Sequence, residues 1–324
     1  MNIRQYGPWL CFLVVFYGAW AAYFLASDTW HLLGEHWPIA LSMALGSYFA
    51  GSTPMGGGTV GFPVLVFGFD YPTHVGRDFS LAVQSIGMTS ASLLIWCRKQ
   101  ALARTVLQGS IIGVTLGLPI GLFAISPWVS EFAVKALFSV LWASFGIYHL
   151  RYGRELRQQT GFISHHQSTD LRVGLLLGMI GGLTTVAFTG VGIDMLVYST
   201  LILMYRANIA IAIPTSVVIM AYASVYGSVL QTLSGAWSPG VIEQWLTAAP
   251  VVALGAPLGV LVVSRLAPRT NIAIVSVLCL AQFAWFLLIE RQYLSPLSVL
   301  LLIVLAATTW GLLIKLKDLG DKKN

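Results

Sequence analysis

Two glycine-rich clusters hold the residues of this chain that could bind a small anion. The first is Gly51-Ser-Thr-Pro-Met-Gly56-Gly57-Gly58-Thr59, and the second runs from Gly181 to Asp194. Glycine has no Cβ, so a ligand can approach its backbone closely. A helix that begins beside such a cluster offers free N–H groups and the positive end of its dipole. Each cluster could therefore hold a small oxyanion without a buried arginine.

Hydroxyl donors accompany the glycines in both clusters and in a later apolar segment. The residues that we predict to bind the ligand are Ser52, Thr53, Gly56, Gly57, Gly58, Thr59, Thr185, Thr189, Gly190, Gly192, Thr215 and Ser216. The alternative interpretation is that these small residues only allow helices to pack closely. We favour a binding site because the two clusters match each other within an internal repeat.

The composition places both clusters in a membrane. Of the 324 residues, 57% are apolar and only 9% are charged, whereas soluble domains have roughly 25% charged residues. The mean hydropathy is +0.79, and apolar runs long enough to span a bilayer recur from end to end. We predict an all-α polytopic protein of the bacterial inner (plasma) membrane, in which the lipid bilayer surrounds the helices.

An internal repeat organises the apolar runs. At an offset of 134, Tyr71-Pro-Thr-His matches Tyr205-Arg-Ala-Asn, and Gly56 and Gly58 match Gly190 and Gly192. At an offset of 138, Gly117-Leu-Pro-Ile-Gly121 matches Gly255-Ala-Pro-Leu-Gly259. The prediction is a single membrane transport domain over 1–324, with an extra helix at 8–27, a first repeat at 38–150, a cytoplasmic loop at 151–170, a second repeat at 171–289 and an extra helix at 296–314.

The basic residues indicate whether each broken segment crosses the membrane or turns back. If every segment crosses, ten of the 18 lysines and arginines lie on one side and eight on the other. If each broken segment is a re-entrant hairpin, only Arg77, Lys135 and Arg291 lie outside and 15 are cytoplasmic, as the positive-inside rule requires. Each repeat then has one broken-helix hairpin and three spanning helices. The two repeats are therefore inverted, and both termini are cytoplasmic.

Paired broken helices in corresponding positions of two halves are typical of a transporter's binding site. Asp194 is the one carboxylate assigned to a hairpin tip, and an ionisable residue inside a membrane is a functional hypothesis by default. It could couple transport to a proton or cation, or it could simply cap the helix that begins there. Arg77, His74 and Gln84 could form the outer mouth, although a surface pair of Arg77 with Asp78 is the simpler interpretation.

Four short elements carry a resemblance to a known family. They are Gly56-Gly57-Gly58 with Pro63-Val-Leu, Gly190-Val-Gly192-Ile-Asp194-Met-Leu, Ala212-Ile-Pro-Thr215-Ser216, and the two Gly-x-Pro-x-Gly helices. Together they resemble the TauE/SafE family of sulfite and organosulfonate exporters, and the resemblance covers nearly the whole chain. It implies proton-linked or otherwise secondary efflux of sulfite, sulfoacetate or a similar sulfonate.

The prediction is therefore a secondary transporter, not an enzyme, whose partner is a small anionic substrate. An anion channel of the same architecture and a membrane-embedded sulfur-relay protein or enzyme are the alternatives. Cys11, Cys97 and Cys279 lie in separate apolar segments without metal spacing, so we interpret them as packing residues. His165-His166 has no third ligand at metal spacing. We expect no cofactor, no metal and no nucleic-acid partner, and a homodimer is left open.

Overall fold

The structure is a computed structural model that describes residues 3–53, 55–157, 159, 161–162, 164, 166–263 and 268–321. This part of the chain is helical and contains no β-strand, and Gly161 and Ala207 form an isolated parallel bridge. The prediction of an all-α polytopic membrane protein is confirmed. His165 lies outside the described residues.

The helices of the first half are α1 (Gly7–Ser27), α2 (His31–Glu35), α3 (Trp37–Ser52), α4 (Gly58–Pro63), α5 (Thr73–Cys97), α6 (Arg104–Ile120) and α7 (Glu131–Arg157). Those of the second half are α8 (Gln167–Gly181), α9 (Ala187–Thr189), α10 (Ile193–Leu203), α11 (Ile209–Ser234), α12 (Val241–Val263), α13 (Pro268–Ile289) and α14 (Pro296–Asp321). Single π-helical turns continue α4, α6 and α8 over Val64–Gly68, Gly121–Ile125 and Gly182–Val186.

Within the described residues, eight helical segments are long and apolar enough to cross a membrane. They are Arg4–Ser27, Thr73–Cys97, Arg104–Trp128, Glu131–Glu155, Gln167–Thr189, Ile209–Ser234, Val241–Val262 and Pro296–Asp321. Two further apolar helices, Gly58–Gly68 and Ile193–Leu203, are shorter. The second of these has 11 residues, or roughly 16 Å at 1.5 Å per residue, which cannot span a hydrocarbon core of about 30 Å.

The first glycine-rich cluster folds the chain back on itself. A Cβ on Gly61 of α4 would lie 3.2 Å from the sulfur of Met43, and a Cβ on Gly57 would lie 3.5 Å from the Cβ of Ala50. The later residue of the second segment therefore contacts the earlier residue of α3, so the two helices are antiparallel. We call residues 37–68 the first hairpin.

The second cluster forms a similar fold-back, which we call the second hairpin (residues 167–203). A Cβ on Gly192 would lie 2.9 Å from the Cβ of Thr185, and one on Gly181 would lie 3.1 Å from the side chain of Ile193. Its first arm is helical over the 23 residues Gln167–Thr189, with the π-helical turn Gly182–Val186 inside it. The chain turns only at Gly190 and Gly192, where φ is +75° and +104°.

Helices from the two halves pack on each other symmetrically. Each main contact between a helix of the first half and one of the second has a counterpart between the corresponding helices with the halves exchanged. Helix α6 packs along α8 and α12 packs along α3, while α5 packs on α11 and α7 packs on α13. Backbones approach closely where α6 meets α8: a Cβ on Gly113 would lie 2.9 Å from the carbonyl carbon of Gly178. The two outer helices complete the bundle, since α1 contacts α5 and α12 and α14 contacts α7 and α10.

Candidate functional site

The tips of the two hairpins meet at one buried point against α5. The backbone N–H of Gly56 in the first hairpin donates to Asp194 Oδ2 in the second, with an N–O distance of 2.5 Å. On α5, Gln84 Nε2 donates to the carbonyl oxygen of Gly190 at 3.0 Å. We call the group of Gly56, Gly58, Gln84, Gly190 and Asp194 the tip junction.

Asp194 is the centre of the tip junction. Its Oδ1 accepts from the backbone N–H of Gly192 at 3.2 Å and of Met195 at 2.9 Å. Because α10 begins at Ile193, these bonds satisfy donors of its first turn, where a negative charge also interacts favourably with the helix dipole. The carboxylate is 1% exposed. Asp194 therefore caps α10 and, through Oδ2, joins it to the first hairpin.

Three glycines of the tip junction have no room for a side chain. A Cβ on Gly56 would collide with Gln84 Oε1 and lie 2.8 Å from Asp194 Oδ2. One on Gly58 would lie 2.8 Å from the Cβ of Ser80. At Gly190 the positive φ alone disfavours any other residue.

Two other glycines of the clusters differ in how strictly they are required. Gly57 is less constrained, because its Cβ would make only ordinary contacts. Gly192 has both a positive φ and close neighbours, since its Cβ would lie 3.1 Å from the ring of Trp142. The sequence therefore identified a larger set of glycines than the geometry requires.

Most of the predicted hydroxyl donors use their proton within their own helix. Each donates to a backbone carbonyl three or four residues earlier: Thr53 to Phe49 at 2.7 Å, Thr185 to Gly181 at 3.2 Å, Thr189 to Thr185 at 2.8 Å, Thr215 to Ile211 at 2.7 Å and Ser216 to Ile213 at 2.8 Å. Thr59 instead accepts from Trp142 Nε1 at 3.2 Å. The side chain of Ser52 lies outside the described residues. The backbone N–H groups, more than the hydroxyls, form the donor set at the tips.

The structure does not bring every predicted residue to the tip junction. Thr215 accepts from the backbone N–H of Ala103 at 3.0 Å, so it contacts the connection between α5 and α6. Conversely, Gln84 is not at a mouth: it is 2% exposed and lies at the tip junction itself. The reason is its position on α5, two turns beyond Arg77, which carries its side chain from the end of the helix into the interior.

Arg77 and His74 do line an open cavity of about 430 Å³ at one end of the bundle. Its walls include Ser126 and Phe188, the latter from the second hairpin next to the turn. The guanidinium of Arg77 donates to Ser126 Oγ at 3.0 Å. The cavity therefore lies between the solvent side of α5 and the tip of the second hairpin.

The pairing of Arg77 with Asp78 is not a surface ion pair, because Asp78 is fully buried. Its Oδ1 accepts from Arg77 Nε and from Gln231 Nε2, both at 2.7 Å. Its Oδ2 accepts from the backbone N–H of Ser238 at 3.1 Å and from the hydroxyl of the same residue at 2.6 Å. These four bonds satisfy the buried charge and tie α5 to the connection between α11 and α12.

Sequence reasoning missed one residue that touches both hairpins. Trp142 on α7 is fully buried, donates to Thr59 of the first hairpin, and packs against Gly192 of the second. A tryptophan inside an apolar helix is more often a packing or interfacial residue, so its type and spacing carried no signal of this position.

The comparison with protein families adds independent evidence. The model of the family described as sulfite exporter TauE/SafE matches residues 39–286, which is most of the chain. The chain belongs to the TauE/SafE sulfite exporter family. No curated protein and no solved structure matches it. As a TauE/SafE protein with eight candidate spans among its described residues, it is a multi-pass membrane transporter.

The region that matches the TauE/SafE family contains both hairpins. It begins near the start of α3 and ends within α13, so α1 and α14 lie outside it. The two fold-backs and the helices that pack on them are therefore the part of this chain that defines its family membership.

Proposed function

We propose that this TauE/SafE protein is a secondary transporter that exports a small sulfur oxyanion or organosulfonate, such as sulfite or sulfoacetate, with proton coupling. One observation carries the proposal: the Asp194 carboxylate is bound by backbone N–H groups of both hairpins. A carboxylate presents oxygen atoms with negative charge, as sulfite and sulfonates do. The same N–H groups are chemically suited to a substrate oxyanion when Asp194 releases them.

The proposed architecture is two inverted repeats, each with a re-entrant hairpin and three spanning helices. Three facts support it: the second arm of each hairpin is too short to span, the arms are antiparallel, and the packing pattern survives exchange of the halves. The distribution of basic residues favours cytoplasmic termini and a cytoplasmic 151–170 loop in the bacterial inner membrane. The hairpin tips then lie near the middle of the bilayer.

The cavity lined by Arg77 and His74 is the proposed outer mouth. In this topology it opens on the outer side, and Phe188 connects its wall to the second hairpin. The Arg77 side chain is 12% exposed and retains N–H groups beyond those given to Asp78 and Ser126. It could attract an anion that leaves the tip junction.

The sulfur-relay alternative receives no support from the position of the buried thiol. Cys279 Sγ lies 3.8 Å from Met55 Sδ beside the first hairpin. Two sulfurs in an apolar setting are typical of packing. Among the described residues, no cluster of three or more His, Cys, Asp or Glu side chains could hold a metal ion.

The experiment is flux of sulfite, sulfoacetate, isethionate, thiosulfate and simple carboxylates in proteoliposomes that contain the purified protein. We expect a sulfur oxyanion to be accumulated against its gradient when a proton gradient is imposed. Gly56→Ala should abolish flux, because its Cβ collides with Gln84 Oε1. Gly18→Ala is the matched control, since nothing lies within 4 Å of its Cβ.

Two results would contradict the proposal. Flux that only follows the anion's own gradient would identify a channel. If the protein transports none of the sulfur compounds but does transport one of the simple carboxylates, its substrate belongs to a different class.

A further inference from the structure

Gln84 is held at the tip junction in a defined orientation. Its Nε2 donates to the carbonyl oxygen of Ser80 at 3.1 Å and to that of Gly190 at 3.0 Å. Both amide protons are therefore used, and a flipped amide would set its oxygen against two carbonyl oxygens. The side-chain oxygen Oε1 must consequently point away from these carbonyls, toward the first hairpin.

In that direction Gln84 Oε1 converges with Asp194 Oδ2. A Cβ atom on Gly56 would collide with Gln84 Oε1 and would lie 2.8 Å from Asp194 Oδ2, so both oxygens border the same small volume. Within the described part of the chain, Gln84 Oε1 is buried without a hydrogen-bond donor. Two buried acceptor oxygens that face one small volume repel each other unless a proton or a cation lies between them.

A proton fits this volume better than water or a metal cation. The cavity that Gln84 lines together with Gly57 measures only about 10 Å³, is otherwise mostly apolar, and is not lined by Asp194 or Gly56. That size is at the lower limit for one water molecule. A hard cation takes six or more oxygen ligands, whereas the side-chain oxygens seen here are Gln84 Oε1, Asp194 Oδ2 and the unpartnered Ser80 Oγ.

The charged groups around Asp194 do not supply a competing partner. Asp78 and Arg77 lie two turns away along α5 and are paired with each other. Other titratable side chains on neighbouring helices are Tyr198 on α10, Tyr148 and His149 on α7, and Cys279 on α13, and all four are buried. In the described structure, the carboxylate oxygens themselves accept only from backbone N–H groups.

We propose that Gln84 and Asp194 together form the binding site of the coupling proton. The protonated Asp194 Oδ2 donates its O–H to Gln84 Oε1. This inference deepens the proposed function and rests on it, because it names the group that holds the proton during the cycle. A hydroxyl oxygen of a neutral carboxyl is a weaker acceptor than a carboxylate oxygen, so protonation loosens the bond from Gly56 N–H. That N–H then becomes available to a substrate oxyanion.

Infrared difference spectroscopy tests the pair without any substrate. The purified protein in lipid is titrated with acid, and the C=O stretching band of the protonated carboxyl is followed. Asp194→Asn should remove the band and thereby assign it. Gln84→Leu should move the band to higher wavenumber, because the O–H loses its acceptor, and should lower proton affinity about tenfold.

Gln84→Glu is the second variant and should act in the opposite direction. Because glutamate has the same length as glutamine, this variant tests the pair even if Gln84→Leu does not fold. Two adjacent carboxyl groups cannot both ionise easily, so the proton should persist to higher pH than in the wild type. Gln244→Leu is the matched control, since Gln244 is a buried glutamine on α12 whose Oε1 also lacks a described donor.

The outcomes separate the pair from the proposed function. An Asp194 band that is absent from the wild type at every pH, or that is unchanged in Gln84→Leu, overturns the pair. A band that responds to sodium in place of acid also overturns it, since a cation then occupies the site. If the bands behave as expected but proteoliposomes carry no sulfur oxyanion, the proton site stands and the proposed export does not.

Discussion

At the scale of single residues, one hydrogen bond joins positions 138 residues apart. Asp194 was open to two interpretations, a helix cap or a coupling group. The structure shows the cap, because Asp194 accepts two N–H groups of its own helix turn. It also shows a contact that a simple cap does not make, the bond from Gly56. Asp194 therefore bonds both to its own helix and to the first hairpin.

Asp194→Asn should retain substrate binding and flatten the pH dependence of transport. The amide mimics the neutral acid, and its oxygen can still accept from Gly192 and Met195. The new NH2 group takes the place of Oδ2 and leaves the buried Gly56 N–H without an acceptor, so the free energy of unfolding should fall by about 1–3 kcal/mol. Gradient-driven flux in proteoliposomes across a pH series provides the measurement.

The control for this substitution is Glu243→Gln, which removes an exposed carboxylate at the start of α12. It should keep the wild-type profile. If Asp194→Asn also keeps that profile, Asp194 is only a cap and the coupling group lies elsewhere.

At the scale of helices, glycines allow α6 and α8 to pack with their backbones in contact. A Cβ on Gly178 would lie 2.9 Å from Ser110 Cα, and one on Gly117 would lie 2.7 Å from the carbonyl oxygen of Met179. Without a strong hydrophobic force between helices in lipid, such close packing is a main source of their association. This pair carries the first arm of the second hairpin, so its packing positions the tip junction.

Gly178→Ala should therefore destabilise the protein through overpacking. The expected loss is about 1–3 kcal/mol, because the new methyl group meets the backbone of Ser110 and cannot be relieved by a side-chain rotation. Thermal unfolding of the detergent-solubilised protein measures it. Gly311→Ala on α14, where nothing lies within 4 Å, should leave the unfolding temperature unchanged or slightly raised. Equal stability of the two variants would argue against close packing of α6 and α8.

At the scale of the whole molecule, two polar clusters lie at opposite ends of α7. The cavity with Arg77 borders Glu131, at the start of this helix. At its other end, Glu155 pairs with Lys317 at 2.8 Å and with Arg206 at 3.6 Å, and Arg206 also pairs with Asp321. The separation of about 24 residues is roughly 36 Å of helix, which is the thickness of a hydrocarbon core with its margins.

Labelling of single cysteines should report these two ends on opposite sides of the membrane. In a background without Cys11, Cys97 and Cys279, we expect Ser130→Cys to react with an impermeant reagent from outside. Ser168→Cys, which lies at the start of α8 in the proposed cytoplasmic region, should react only after the membrane is opened. Both positions are exposed. Labelling of Ser168→Cys in intact cells would refute the re-entrant hairpins and the proposed orientation.

The sequence by itself determined the membrane class, the TauE/SafE resemblance, the two glycine-rich turns and the place of Asp194 at the second turn. These features depend on local composition and on spacing within one segment, which the chain carries wherever its neighbours lie. The offset of 134 also predicts the position of the short second arms to within one residue, since Gly58–Gly68 and Ile193–Leu203 are 135 residues apart.

Only the tertiary structure decided which atoms meet. It placed Gln84 at the tip junction and Trp142 against both hairpins, because the side of a helix that faces a partner depends on contacts distant in sequence. It also showed that, within the cluster from Gly181 to Asp194, Gly181 and Gly182 stay helical and the chain turns at Gly190 and Gly192. A glycine permits a break in a helix but does not require one, and packing against α6 and α5 selected the pair that turns.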